Sequence, residues 1–151
     1  MNLFENTIFI NLEKRKDRLK HVLNELKKLN IKGERFNAIQ SRYGAIGCSL
    51  SHIECLEIAK KRKYKHVFIC EDDITFLNPK LLLYNLNKFI NNKKIHWDVL
   101  LLGGNNNFPY VKINDYCCKI SNCLSAMAYI VKKEYYDTLL KNLKDGVNYL
   151  I

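Results

Sequence analysis

The run Val67-Phe68-Ile69-Cys70, entered through His66, is apolar throughout and stops abruptly in Glu71-Asp72-Asp73. A strand with one wet face alternates polar and apolar residues, whereas a continuous apolar run is buried on both faces and needs helices above and below it. Asp98 to Leu102 repeats the pattern and is closed by Gly103-Gly104, and Thr7-Ile8-Phe9-Ile10-Asn11 is a shorter β-rich run. Helical spacing fills the intervals. Leu19, Val22, Leu23, Leu26 and Leu29 predict a helix from Lys16 to Asn30, with Asp17 near its start and Gly33 beyond its end. Gly44 and Gly47 flank a turn, after which Leu50, Ile53, Leu56 and Ala59 mark a second helix running into the basic cluster Lys60 to Lys63. Asn78-Pro79 opens a third, with Leu82, Leu83, Leu86, Phe89 and Ile90 as its buried face. Glu34 to Ile39 reads as a second strand. Tyr110–Ile113, Tyr116–Ile120 and Ala126–Val131 read as shorter strands before a last helix from Lys133 to Leu143. The expectation is an α/β chain, one domain over residues 1–151, with a mainly parallel sheet and helices on both faces.

Composition bounds the function. The net charge is +10, but 20 of the 25 basic residues are Lys, Asn occurs 18 times, and the basic positions are scattered. Base-reading surfaces rely on clustered Arg and aromatic residues, so no nucleic-acid partner is expected; a milder attraction for anions such as nucleotide diphosphates remains. The Lys, Asn and Ile excess matches an AT-rich coding sequence, viral or bacterial. The six cysteines include no C-x-x-C pair and no His at zinc-finger spacing. No zinc site is therefore expected, and Cys55 and Cys70 read as buried, reduced thiols. The longest apolar runs fall well short of the ~20 residues that span a bilayer, and Met1 to Glu5 lacks the form of a secretory signal. The expectation is a soluble, cytoplasmic protein (virion or host cytoplasm if viral) without a transmembrane segment.

Three segments carry chemistry. Consecutive carboxylates repel one another, so a cation is expected beside Glu71-Asp72-Asp73. In an extended segment Glu71 and Asp73 point the same way and can converge on one ion while Asp72 faces elsewhere. An all-oxygen site suits Mn²⁺ or Mg²⁺, and open α/β sheets bind ligands at the carboxyl ends of their strands. The alternative is a solvated acidic turn before Pro79. In the second segment, Asn11 to Arg18, a loop leaves the first strand and enters a helix. Backbone N–H groups there, joined by Arg15 and Arg18, form an anion site or, alternatively, a solvated helix start. The third is Gly47-Cys48-Ser49-Leu50-Ser51-His52. Adjacent side chains on a helix diverge, so Ser51 and His52 are a poor nucleophile and base, and hydrolase chemistry is disfavoured.

Five segments in order resemble glycosyltransferase family 25, the group of lipooligosaccharide and collagen galactosyltransferases. They are Ile8–Leu12 with Arg15 and Arg18, Arg35–Ala38, Gly47–His52, Val67–Asp73 and Ala128–Ile130. The resemblance implies a GT-A-like (Rossmann-like) fold, a UDP-sugar donor, a hydroxyl acceptor on a glycan or protein, and Mn²⁺ (or Mg²⁺) at Glu71 and Asp73. By the same resemblance Asn11, Arg15, Arg18, Ser51, His52 and Glu71 line the nucleotide-sugar site, and transfer is inverting. Inversion calls for a general base, with Asp72, His52 and Glu54 as candidates. Two departures stand out. Met127 occupies the place where relatives often carry His, and the chain stops where relatives continue. The short C-terminus suggests either a truncated transferase acting as a nucleotide- or partner-binding domain, or a missing surface supplied by a second copy through Tyr149-Leu150-Ile151.

Overall fold

The computed structural model describes residues 1–106 and 109–150. Strand β1 (Thr7–Asn11) pairs in parallel with β2 (Glu34–Asn37) on one side and β3 (His66–Glu71) on the other. The sheet continues through β7 (Cys123–Lys132), antiparallel to β3, to β4 (Val99–Asn106), giving the order β2-β1-β3-β7-β4. Strands β5 (Tyr110–Lys112) and β6 (Cys118–Ile120) form a separate hairpin. The expected mainly parallel sheet is present, with one antiparallel strand set into its middle.

Side-chain parity divides the core into two layers. Phe9, Phe68, Cys70, Ala128 and Ile130 face one side, under helices α1 (Lys16–Lys28) and α3 (Pro79–Asn91). Ile8, Ile10, Val67, Ile69, Tyr129 and Val131 face the other, under α2 (Gly44–Lys61) and α4 (Tyr136–Leu150). Phe68, Ile69 and Ile130 are fully enclosed, and burying each stabilises the fold by roughly 1.5–3 kcal/mol. Helix α4 is tied to α2 by Lys144–Glu57 at 2.7 Å and by Lys60–Asp137, and a short 3₁₀ turn, Lys133–Tyr135, leads into it.

Several boundaries differ from the sequence expectation, each for a local reason. Helix α1 ends at Lys28 because Asn30 takes a left-handed φ of 54° and Ile31 N–H returns to the Leu26 carbonyl, closing the helix without Gly33. Gly33 instead admits β1: a Cβ there would lie 2.9 Å from the Phe9 ring. Helix α2 begins at Gly44 and runs through Gly47, which lies inside the helix rather than flanking a turn; it is glycine because a Cβ there would meet the Ile39 carbonyl at 2.6 Å. In α3 only Leu86 and Phe89 are buried, and Leu83 is exposed. Gly103-Gly104 do not close β4: the strand passes through them with register shifts, and a Cβ on Gly104 would lie 2.5 Å from Cys123 Sγ. The short strand expected at Ala126–Val131 is the ten-residue β7.

The basic cluster ends α2 as the helix dipole favours, but it is also paired, Arg62 holding Glu34 through Nη1 and Nη2. No helix among the described residues is long and apolar enough to cross a membrane. At the C-terminus Val147 is buried and Tyr149 exposed; Ile151 and the Leu150 side chain, part of the expected apolar docking surface, lie outside the described residues.

Candidate functional site

The chain leaves β1 for β2 on one side and then crosses to β3 on the other, so the ends of β1 and β3 form the point where the strand order reverses. The parallel register pairs Ile10 with Glu71, which brings Asn11 level with the acidic turn. The buried Asn11 amide donates to Asp72 Oδ2 at 2.7 Å and to the Arg15 carbonyl at 3.1 Å, and its oxygen accepts from Arg35 Nε at 3.0 Å. Every polar atom of this side chain is engaged by protein. Asn11 therefore braces β1, β2, the start of α1 and the acidic turn against one another.

The three carboxylates have different surroundings. Strand β3 ends at Glu71, and Asp72-Asp73 lie in a turn, so period-two parity does not extend across them. Asp72 is buried between Asn11 and Arg18, with Arg18 Nη1 at 3.1 Å from Oδ1; the same nitrogen is 3.2 Å from Asp73 Oδ2. Arg18 is thus part of the cation that sequence reasoning demanded at this turn. Glu71 lies apart from that pair, 3.7 Å from His52 Nε2 and 3.9 Å from Cys48 Sγ. Glu71 and Asp73 both retain solvent access, with side chains 30% and 42% exposed. Glu71 and Asp73 are thus two solvent-accessible carboxylates at this turn, oxygen donors of the kind that a hard divalent ion takes.

Helix α1 also fixes the chain beyond the turn. His21 Nε2 donates to the Ile74 carbonyl at 2.7 Å, and buried Glu25, one helical turn later, accepts from Phe76 N–H at 2.8 Å and from Lys28. Burial opposes ionisation of Glu25, but the Lys28 ammonium and the Phe76 N–H outweigh it and hold the carboxyl below its ordinary value. Arg15 stands at the start of α1, with its guanidinium forked onto Asp17 at 2.9 and 2.7 Å. That pairing holds the Asp17 carboxyl well below the usual range and engages Nε and Nη2 of Arg15, which an incoming anion would have to share.

Ser51 and His52 part company, as adjacent helical residues must. Ser51 Oγ donates to the Gly47 carbonyl at 2.7 Å and accepts from Ile39 N–H at 2.8 Å, with no exposed surface. It is a clamp between α2 and the loop after β2, not a pocket wall. His52 faces β3 and β7: Nδ1 is 3.0 Å from the Tyr129 hydroxyl, and the two rings stack with centroids 5.6 Å apart. Glu54 is exposed, roughly 200° further around the helix, and joins none of these groups. Of the three candidate bases, Asp72 has both oxygens engaged and Glu54 is remote; only His52 presents an atom, Nε2, toward Glu71.

Sequence reasoning missed Cys48. Because α2 starts before Gly47, Cys48 and His52 are four residues apart on one helical face, and both meet Glu71. The C-x₃-H spacing was the available signal. Partial shielding of the sulfur of this otherwise exposed residue, and then the Glu71 carboxylate, push the Cys48 thiol up to about 11. An open hollow of about 410 Å³, lined by Met1, Glu5, His66, Lys132 and Glu134, lies at the other end of β3. Ligands of open α/β sheets gather at the carboxyl ends of the strands, so the hollow is not the candidate site.

The family model described as glycosyltransferase family 25 (LPS biosynthesis protein) matches residues 42–149. That span includes Cys48, Ser51, His52 and the acidic turn, while Asn11, Arg15 and Arg18 precede it. No protein of curated function matches the sequence. Among solved structures, 4-diphosphocytidyl-2C-methyl-D-erythritol synthase from Anaerococcus prevotii DSM 20548 is similar at 17% identity and a TM-score of 0.46. The similarity covers 93% of this chain and 58% of that one.

Proposed function

The chain belongs to glycosyltransferase family 25, and on that footing we propose that it transfers a hexose from a UDP-sugar to a hydroxyl group of a glycan or protein, with inversion. The observation that carries this reading is the acidic turn at the reversal of strand order, where Glu71 and Asp73 stay open to solvent while Asn11 and Arg18 hold Asp72. A divalent cation such as Mn²⁺ (or Mg²⁺) held by Glu71 and Asp73 would neutralise charge on the departing nucleoside diphosphate. Arg18 and the backbone N–H groups opening α1 face the same anion, with Arg15 joining when its fork with Asp17 opens. Asn11 and Ser51 act by positioning the turn and α2.

Incubation with UDP-sugars and Mn²⁺ tests the proposal. The expected result is release of UDP above background, with an added acceptor or with water. No release overturns transfer. Thermal denaturation with UDP plus Mn²⁺ adds a second reading, since a ligand at 100 times its Kd stabilises by about 2.7 kcal/mol. Asp73→Ala is expected to remove that shift, and an unchanged shift places the ion elsewhere. Stabilisation without release of UDP would leave a nucleotide-binding domain in place of a transferase.

A further inference from the structure

We propose that Cys48, His52 and Glu71 form a site for one thiophilic divalent cation of the zinc type, which differs in donor chemistry from the all-oxygen pair Glu71 and Asp73 and competes with it for Glu71. One ligand atom from each residue lies within 4.8 Å of the other two, with Glu71 Oε1 3.7 Å from His52 Nε2 and 3.9 Å from Cys48 Sγ. A tetrahedral ion with ligand bonds of ~2.0–2.3 Å holds its donor atoms roughly 3.3–3.7 Å apart. The three atoms therefore need to close by only a few tenths of an ångström to about an ångström. Cys48 and His52 stand one helical turn apart on α2, and Glu71 ends the neighbouring strand, so two rigid elements carry the set.

The surroundings of His52 support ligation. A metal-bound imidazole usually hands its other nitrogen to a fixed partner that sets the ring's orientation. Here Nδ1 meets the buried Tyr129 hydroxyl at 3.0 Å, leaving Nε2 directed at Glu71. A phenol both donates and accepts, so Tyr129 satisfies the tautomer without metal and also the one in which Nε2 carries a lone pair toward an ion. Cys48 is exposed and Glu71 partly so, which gives an ion a route in. No fourth protein donor joins the set among the described residues. Three ligands with a free position are the pattern of an open zinc site, available to water or a phosphate oxygen. Mixed sulfur, nitrogen and oxygen donors prefer Zn²⁺ or Co²⁺ to Mn²⁺ or Mg²⁺. The inference needs no nucleotide and no sugar transfer.

Titrating the reduced protein with Co²⁺, without nucleotide, tests it. The expected result is one ion per chain, with a thiolate-to-cobalt charge-transfer band and visible bands of four-coordinate intensity. Cys48→Ser should abolish the charge-transfer band. Tyr129→Phe, which removes no ligand but takes away the hydrogen bond that holds the His52 ring, should weaken Co²⁺ and competing Zn²⁺ binding about 10- to 100-fold. Circular dichroism checks that each variant is folded. If Cys48→Ser fails to fold, Glu71→Gln, at a part-exposed position, is expected to lower Zn²⁺ affinity at least about 10-fold by calorimetry. Absence of the charge-transfer band in the native chain overturns the proposal. So does a band that persists in Cys48→Ser, which would assign it to Cys117, Cys118 or Cys123, and so does unchanged affinity in Tyr129→Phe or Glu71→Gln.

Discussion

Asn11→Ala removes the side chain that joins β1 to the acidic turn, and its cost can be worked from the three bonds it breaks. The bond to Asp72 is to a buried charge, and such bonds contribute about 1.5–3 kcal/mol. The bonds to the Arg15 carbonyl and from Arg35 are worth about 0.5–1.5 kcal/mol each, discounted because both partners reach water when released. The expected loss is about 2–4 kcal/mol. At about 2–4 °C per kcal/mol for a chain of this size, the Tm should fall by roughly 5–15 °C. Thermal and urea unfolding followed by circular dichroism measure both quantities. A cycle with Asp72→Ala isolates the pair: if the amide and carboxylate hold one another, the double variant should be more stable than the sum of the single losses by at least about 1 kcal/mol. A loss below about 0.5 kcal/mol for Asn11→Ala, or additivity in the cycle, would refute the role assigned to Asn11. The same variant is expected to weaken UDP binding, because Asp72 is then free to draw Arg18 away from Asp73.

Three further outcomes are expected. Gly104→Ala should cost about 1–3 kcal/mol in urea unfolding, since its Cβ meets Cys123 Sγ and the Ser125 carbonyl, while Gly103→Ala, with nothing within 4 Å, should change stability by less than about 0.5 kcal/mol. Glu25→Ala leaves the buried Phe76 N–H without a partner and should cost about 1–3 kcal/mol at neutral pH. Because the folded carboxyl lies below its ordinary value of 4.5, its stabilisation is complete above that value and is lost as pH falls through the lower folded one; a gap between native chain and variant that stays constant into acid would contradict this. Arg18→Ala should weaken UDP binding at least about 10-fold and also cost about 1–3 kcal/mol of intrinsic stability, because it leaves the buried Asp72 carboxylate with Asn11 alone.

The amino-acid sequence by itself determined the α/β order, the helices, the buried strand β3 and the place of the acidic turn, whereas the equally apolar run in β4 is only half-buried because it lies at the edge of the sheet. Each rests on local periodicity: an unbroken apolar run needs cover on both faces, and charges cannot continue into such a core. The tertiary structure decided everything that depended on register between distant segments. Strand β7 reads as a short late strand that starts only after Ser125, yet pairing Ile69 with Tyr129 sets it in the middle of the sheet and carries the Tyr129 hydroxyl to His52. The acidic turn was legible as a cluster, but parity within a strand could not divide it, because the strand ends at Glu71 and the next two residues turn. Arg18 then takes Asp72 and Asp73, and Cys48 and His52 take Glu71, through contacts spanning 19 to 55 positions. A chain's short-range pattern reports which surfaces must be buried. Which side chains meet at the mouth of the sheet follows only once β1, β3, β7 and α2 have been packed together.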